Sequence, residues 1–246
     1  MTTYEKKVME EMVLWQEKMR KKPSRSEQFT KKLQVKINNL LPDKVHQVIT
    51  LSIEKMMKAV LFGSKYISGH PKKEGSLQLR EAYVKRSIRH YKKAATIEGA
   101  ITGAGGILMG FADFPAFLTI KIKMLFNIAV LYGFQVKDYK ERLFILYLFQ
   151  ITFSSQQRRN ELLDRIVHWS AYADTLPNNV DNFDWLIFQQ EYRDYIDLAK
   201  MAQLLPVIGS VVGAVANNKL VEQLGSTAIN CYRQRYFHAI KEIGTS

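Results

Sequence analysis

The sequence predicts an all-α protein. Apolar residues recur at helical spacing through most of the chain, no stretch alternates strictly between apolar and polar residues, and short β-branched runs such as Val211-Val212 sit inside longer helix-compatible segments. With 246 residues, 47% of them hydrophobic and 24% charged, the chain has enough apolar material for a real core. These observations predict a multi-helix bundle, with two glycine-rich helices buried in it and a basic helical region at the N-terminus.

The elements follow from the spacing. Val8, Met12, Trp15 and Met19 form one stripe, opposed by Lys6, Glu10, Glu17 and Lys21, and predict a first amphipathic helix. After the break Lys22-Pro23-Ser24-Arg25-Ser26, Phe29, Leu33, Ile37 and Leu40 predict a second that stops near Pro42. A third begins around Asp43, with Val45, Ile49, Ile53, Met56 and Val60 inward, and runs towards Tyr66 before the turn cluster of residues 69–75. From Ser76, Leu77, Leu79, Ala82 and Ile88 share a helix with Lys85, Arg86, Arg89, His90, Lys92 and Lys93, the densest basic stretch in the protein. It leads into the glycine-rich residues 99–110, and a turn at Asp113-Phe114-Pro115 precedes a helix over 116–136. Further helices are predicted over 140–154, 160–173 and 183–205, with a loop at 176–179, and a final helical segment runs over 206–237. Residues 1–75 read as a basic helical region packing on a core domain of residues 76–246.

Composition narrows the chemistry. One cysteine, Cys231, makes neither an internal disulfide nor a multi-cysteine metal site, which fits a reducing compartment. Residues 1–22 mix lysine with glutamate and lack an apolar run, so a secretory signal peptide is not expected there. The net charge of +13 is localised: residues 1–97 hold 22 Lys+Arg against 9 Asp+Glu, whereas residues 98–246 hold 14 of each. Such an excess points to a polyanion, either an anionic membrane face or a nucleic-acid backbone, or else to a solvated surface. Lys85, Arg86, Arg89, Lys92 and Lys93 are the expected lipid- or anion-binding residues. Nucleic acid ranks last, because no recognised module or aromatic platform accompanies the charge.

Gly99 and Gly103, Gly106 and Gly110, and Gly209 and Gly213 are pairs spaced four apart, each pair on one helix face. Interior glycine costs about 1 kcal/mol of helix propensity, so the motif implies close backbone packing, in a soluble core or against a membrane partner. The 14 uncharged residues 99–112 fall short of a bilayer span, and Asp113 follows them. A phosphate loop is excluded because no Gly-Lys-Ser/Thr follows Gly103-Ala104-Gly105-Gly106.

Glu98 and Asp113 stand in otherwise apolar surroundings, where desolvation favours an acid or base role. Simpler readings are a helix cap for Asp113 and an ion pair with Lys92 or Lys93, or a first-turn position, for Glu98. Glu161, Asp164 and His168 share one helix side, but neither His-Glu-x-x-His nor Glu-x-x-His spacing occurs. Arg233, two residues from Cys231, is placed to lower the thiol pKa if that thiol is not simply packed. No cofactor or metal site is expected.

In order along the chain, Glu98-Gly99, Gly103-Ala104-Gly105-Gly106, Asp113-Phe114-Pro115, Tyr132-Gly133 and Leu205-Pro206-Val207-Ile208-Gly209, with Gly213 and Asn217, resemble the EcsC family of bacterial proteins over residues 94–237. The resemblance implies a genetic neighbourhood rather than a reaction: the family's namesake is encoded beside the ATPase and membrane subunits of the Ecs ABC transporter. Taken with the charge, it leads to a non-catalytic accessory protein of a transport or secretion system. Such a protein works at the inner face of the cell membrane, its partners being anionic lipid and possible transporter subunits. The alternative is a membrane-proximal hydrolase using Glu98 and Asp113 as acid and base.

Overall fold

A computed structural model describes residues 1–21, 43–62, 71–72, 74–104, 114–196 and 210–244. Among them are nine α-helices and no strand, the one β-bridge joining Ser154 to Ile196. We number the helices α1 (Thr3–Arg20), α2 (Asp43–Phe62), α3 (Leu77–Ala104), α4 (Phe114–Tyr132), α5 (Tyr139–Phe153), α6 (Gln156–Val167), α7 (Trp169–Asp174), α8 (Trp185–Tyr195) and α9 (Ser210–Gly244).

α1 starts because Thr2 and Glu5 close a capping box, the Thr2 hydroxyl accepting from the Glu5 amide at 3.2 Å and the Glu5 carboxylate from the Thr2 amide at 2.7 Å. Val8 and Met12 are buried and Trp15 and Met19 half-buried, as their spacing predicts. α2 buries Ile49, Ile53, Met56 and Val60, and adds Met57 and Leu61. Its described part reaches Phe62; residues 63–70, which hold the predicted run towards Tyr66, lie outside the described residues, as does the whole predicted helix through Phe29 to Leu40.

α5 is the hub. Every residue from Tyr139 to Phe153 except Lys140 is buried, the pattern of a helix enclosed on all sides. Asp138 caps it, accepting from the Lys140 amide at 3.0 Å. Around it pack α2, α4, α6 and α9, and a single apolar cluster runs from α1 through to Phe237. α9 has 35 residues, about 50 Å at 1.5 Å per residue, and shares with α3 the most extensive contact of any helix pair described.

Two glycines explain how these helices approach. At Gly225 an added Cβ would stand 2.8 Å from Ile88 Cδ1 and 3.1 Å from Ile88 Cγ2, so α9 rests its backbone on an α3 side chain. Gly133 ends α4 with φ +94°, a left-handed conformation that lets Lys72 N reach Val130 O at 2.9 Å and Arg80 Nη1 reach Tyr132 O at 2.9 Å.

Two expectations are corrected. The predicted 160–173 helix begins earlier, at Gln156, and divides at His168, whose backbone leaves the helical region. The predicted 183–205 helix starts at Trp185, after a short 3₁₀ turn at Val180–Asn182, because Asp184 accepts from the Ile187 amide at 3.0 Å and so sets the start. Its described part stops at Tyr195, followed by the Ile196 bridge. Leu79, predicted to share a helix with Leu77 and Ile88, is 47% exposed, because the buried stripe of α3 runs through Leu77, Glu81 and Val84.

Candidate functional site

The sequence-predicted cations sit on α3. Lys85, Arg86, Arg89 and Lys93 are exposed, and none of the four has a salt-bridge partner among the described residues. Lys92 differs: its Nζ lies 3.1 Å from Glu222 of α9, so it helps join the two helices. The exposed side of α3 carries apolar groups as well, Leu79 and Tyr83 one turn apart, and the Lys72 ammonium lies 4.5 Å from the Tyr83 ring centre.

Beside this face α1, α3 and α9 enclose an open groove of about 590 Å³. α1 contributes Glu11, Leu14, Trp15 and Lys18, and α3 contributes Lys85, Ile88 and Arg89. From α9 come Glu222, Ile229 and Arg233. Both acids of the groove are engaged, Glu222 with Lys92 and Glu11 with Arg233 at 3.1 Å. Lys18, Lys85 and Arg89 have no salt bridge among the described residues. With Arg233 shared between Glu11 and the buried Glu81, the groove carries a surplus of positive charge beside the apolar Leu14, Trp15, Ile88 and Ile229.

Beneath it lies a polar cluster that sequence reading does not assemble. Arg233 forks onto Glu81, Nε to Oε1 and Nη2 to Oε2 both at 2.7 Å, and the two side chains are 4% and 0% exposed. Tyr4 donates to Glu81 Oε2 at 2.8 Å and Tyr132 to Oε1 at 3.1 Å. Burial by itself would raise the Glu81 carboxyl, but the Arg233 hydrogen bonds and charge, with the two tyrosine donors, hold it below the usual carboxylate range. Burial, reinforced by the hydrogen bond to Glu81, pushes the Tyr4 phenol up to about 12.

A second cluster mirrors the first. Tyr232, stacked on Tyr132 with centroids 5.3 Å apart and planes at 18°, donates to Glu141 Oε1 at 2.7 Å. Arg235 Nη1 meets Glu141 Oε2 at 2.7 Å, and its guanidinium lies 3.8 Å from the Phe134 ring centre and 4.4 Å from that of Phe144. Here Arg235 is 18% exposed and borders a cavity of about 420 Å³ that Asp138, Trp169 and His238 also line.

The signal for the first cluster is present in the sequence: Leu77, Glu81, Val84 and Ile88 share one helical stripe, and an acid on a core stripe requires a partner. The partner stands 152 residues away, which spacing does not reveal. Arg233 is thus committed to Glu81, and Cys231 is buried with its thiol pushed up by desolvation, so the pair does not form a reactive thiol.

Glu161, Asp164 and His168 do not form one site. Asp164 pairs with Arg20 at 2.6 Å, Glu161 with Arg158 at 3.4 Å, and His168 Nδ1 lies 3.0 Å from the Asp164 backbone carbonyl. Among the described residues no cluster of three His, Cys, Asp or Glu is arranged to hold a metal, and no helix is long and apolar enough to cross a membrane. Glu98, Gly99 and Gly103 fall on α3 and Gly213 on α9, in stretches where the backbone alone is described. Gly106, Gly110, Asp113 and Gly209 lie outside the described residues. The described part of α4 opens at Phe114 and includes Pro115.

The fold and its surface thus define an all-helical protein built on one long C-terminal helix, with a cation-rich exposed face. The chain belongs to the EcsC protein family, whose model matches residues 6–237 and so takes in nearly all of the basic N-terminal region as well as the motif region. It is 43% identical over 230 residues to Protein EcsC of Bacillus subtilis (strain 168), covering 93% of this chain and 94% of that protein. It is 35% identical over 143 residues to the uncharacterized protein YdbA of the same organism, covering 58% of this chain and 52% of that one. No solved structure matches the chain.

Proposed function

We propose that the protein is a non-catalytic accessory component of a bacterial ABC transport or secretion system, held at the inner face of the cell membrane by anionic lipid. The observation that carries this reading is the row of exposed cations Lys85, Arg86, Arg89 and Lys93 on α3, without salt-bridge partners among the described residues and accompanied by the exposed apolar Leu79 and Tyr83. Near an anionic leaflet each such cation contributes about 1 kcal/mol, and the apolar pair adds area to bury at the headgroup boundary. Because the cations project from a packed helix, backbone ordering does not oppose their use, and only side-chain ordering remains to be offset. Membership of the EcsC family supplies the link to a transporter, as the family resemblance implies.

Co-sedimentation with vesicles tests the reading. The protein is expected to pellet with phosphatidylcholine vesicles containing phosphatidylglycerol, to ignore pure phosphatidylcholine, and to be released as salt rises. Salt-insensitive binding to neutral vesicles, or steeply salt-dependent binding to RNA with none to vesicles, would overturn it.

A further inference from the structure

We infer that the groove between α1, α3 and α9 is a binding site for a single anionic phospholipid, its headgroup phosphate on Lys18, Lys85 and Arg89 and part of one acyl chain against Leu14, Trp15 and Ile88. The inference rests on the membrane reading above and adds to it a stoichiometric, shaped site where that reading needs only diffuse charge.

Three features of the groove select this ligand. The first is charge: Glu222 pairs with Lys92 and Glu11 shares Arg233 with the buried Glu81, so Lys18, Lys85 and Arg89, three cations from two helices, face one concavity with a clear surplus of positive charge. Like charges gathered in this way raise the local anion concentration, and a phosphate suits them because it takes several donors at once.

The second feature is the apolar floor. Leu14 is 64% exposed at the groove, with Trp15 and Ile88 half-buried beside it, so a hydrocarbon chain covers surface that water now wets. A free phosphate leaves that floor unused. The third is size and shape: about 590 Å³ lies within the roughly 300–1,000 Å³ of small-molecule sites. The rigidity of the back wall follows from the buried Arg233–Glu81 fork, which holds α9 against α3 directly behind the site.

Trp15 provides the readout. Titrating the full chain with monomeric dihexanoyl-phosphatidylglycerol, below the concentration at which it forms micelles, is expected to give a saturable, one-to-one change in tryptophan fluorescence that Trp15→Phe abolishes. Calorimetry reports the same binding without relying on the dye-like signal of Trp15. Lys85→Gln/Arg89→Gln is expected to weaken it about 30-fold, each cation being worth about fivefold. Leu14→Gln, which changes no charge, is expected to weaken it by about fivefold through lost apolar cover. Lys137→Glu, exposed and remote from the groove, leaves it unchanged. Thermal melts verify that each variant is folded, and because Leu14 is exposed its substitution keeps the test open even if a charge variant does not fold.

The outcomes separate the two readings. Binding to anionic vesicles without saturable binding of the monomeric lipid overturns the groove site and leaves the surface reading standing. Failure to bind either overturns both. Glycerol phosphate binding as tightly as the lipid overturns the chain-binding half and makes the groove a plain anion site. An acidic amphipathic peptide that binds the groove while the lipid does not replaces the lipid by a protein partner.

Discussion

The two arginine–carboxylate clusters of α9 are built from nearly the same parts and placed differently. Arg233 and Arg235 each meet a glutamate at 2.7 Å, and the two glutamates each accept from one of the stacked tyrosines, Tyr132 and Tyr232. Around Glu81 four donors from α4, α9 and the N-terminal turn of α1 converge with almost no exposure. Around Glu141 a second tyrosine and one arginine suffice, with aromatic rings covering the guanidinium faces and a cavity alongside. The lesson is that enclosure, and not the ion pair as such, sets how costly each cluster is to disturb. A buried charge without its partner has no water to turn to, whereas a guanidinium at a cavity rim does.

The sharpest test of that difference is to remove one partner at a time. Arg233→Met leaves Glu81 buried with only phenolic donors, and we expect a loss of about 3–5 kcal/mol of folding stability in urea melts. The double variant Glu81→Leu/Arg233→Met is expected to recover most of this, because an apolar pair removes the unpaired charge along with the bond. A double variant no more stable than the single one would mean that the hydrogen-bond geometry itself carries the stability. The same cluster sets a pH dependence. Glu81 titrates lower when folded than when unfolded, so its contribution is present above the unfolded carboxyl value, about 4.3, and fades as pH falls through the lower folded value. Glu81→Gln should flatten the acid limb of stability against pH in that window. At the alkaline end the sign reverses for Tyr4: its contribution is complete below the unfolded value near 10 and fades as pH rises through about 12.

The second cluster should respond less. Arg235→Ala is expected to cost about 1–3 kcal/mol, the range for leaving one buried acceptor without a donor, since water in the neighbouring cavity can hydrate Glu141. Arg235→Lys is expected to rescue little, because an ammonium lacks the flat face that lies against Phe134 and Phe144. Full rescue by lysine would show that charge alone matters there. Smaller again is the effect at the α3–α9 crossing: Gly225→Ala forces Ile88 to move but gains about 1 kcal/mol of helix propensity against an overpacking cost of about 1–3 kcal/mol. The expected net is a loss of about 1 kcal/mol in thermal or urea melts, reduced further in Gly225→Ala/Ile88→Val.

These contrasts also mark what can be read from the sequence. Helical stripes such as Val8–Met12–Trp15–Met19 and Ile49–Ile53–Met56–Val60 are local, so spacing alone finds them, and the structure buries or half-buries each one. The exposed cations of α3 are equally legible, because a dense basic run on an amphipathic helix has nowhere to go but outward. The division at His168 and the late start of α8 are not, since both depend on local capping and backbone geometry within otherwise helix-compatible residues. The groove and the two buried clusters depend on pairings between α1, α3, α5 and α9 that only the tertiary fold brings together. Glu81 on a core stripe shows that a partner is needed, but nothing local distinguishes Arg233 from the other cations.

The smallest expected effect completes the comparison at the exposed extreme. Arg20 and Asp164 form the shortest salt bridge among the described residues, 2.6 Å, yet their side chains are 45% and 54% exposed. If bond length ruled, Asp164→Asn would be as damaging as breaking the Arg233 fork. If enclosure rules, water solvates either partner when the other is lost, and the cost is about 0.2–1 kcal/mol. Urea melts of the wild type and Asp164→Asn at low and at high salt decide this, with the small difference expected to shrink as salt screens the exposed pair. A loss above about 2 kcal/mol that persists in high salt would place the α1–α6 contact among the buried clusters and undo the argument from enclosure. The same variant bears on the helix side that Asp164 shares with Glu161 and His168. Asp164 is bound to Arg20, and His168 contacts its backbone carbonyl rather than its carboxylate, so the substitution removes the ion pair without breaking the His168 contact.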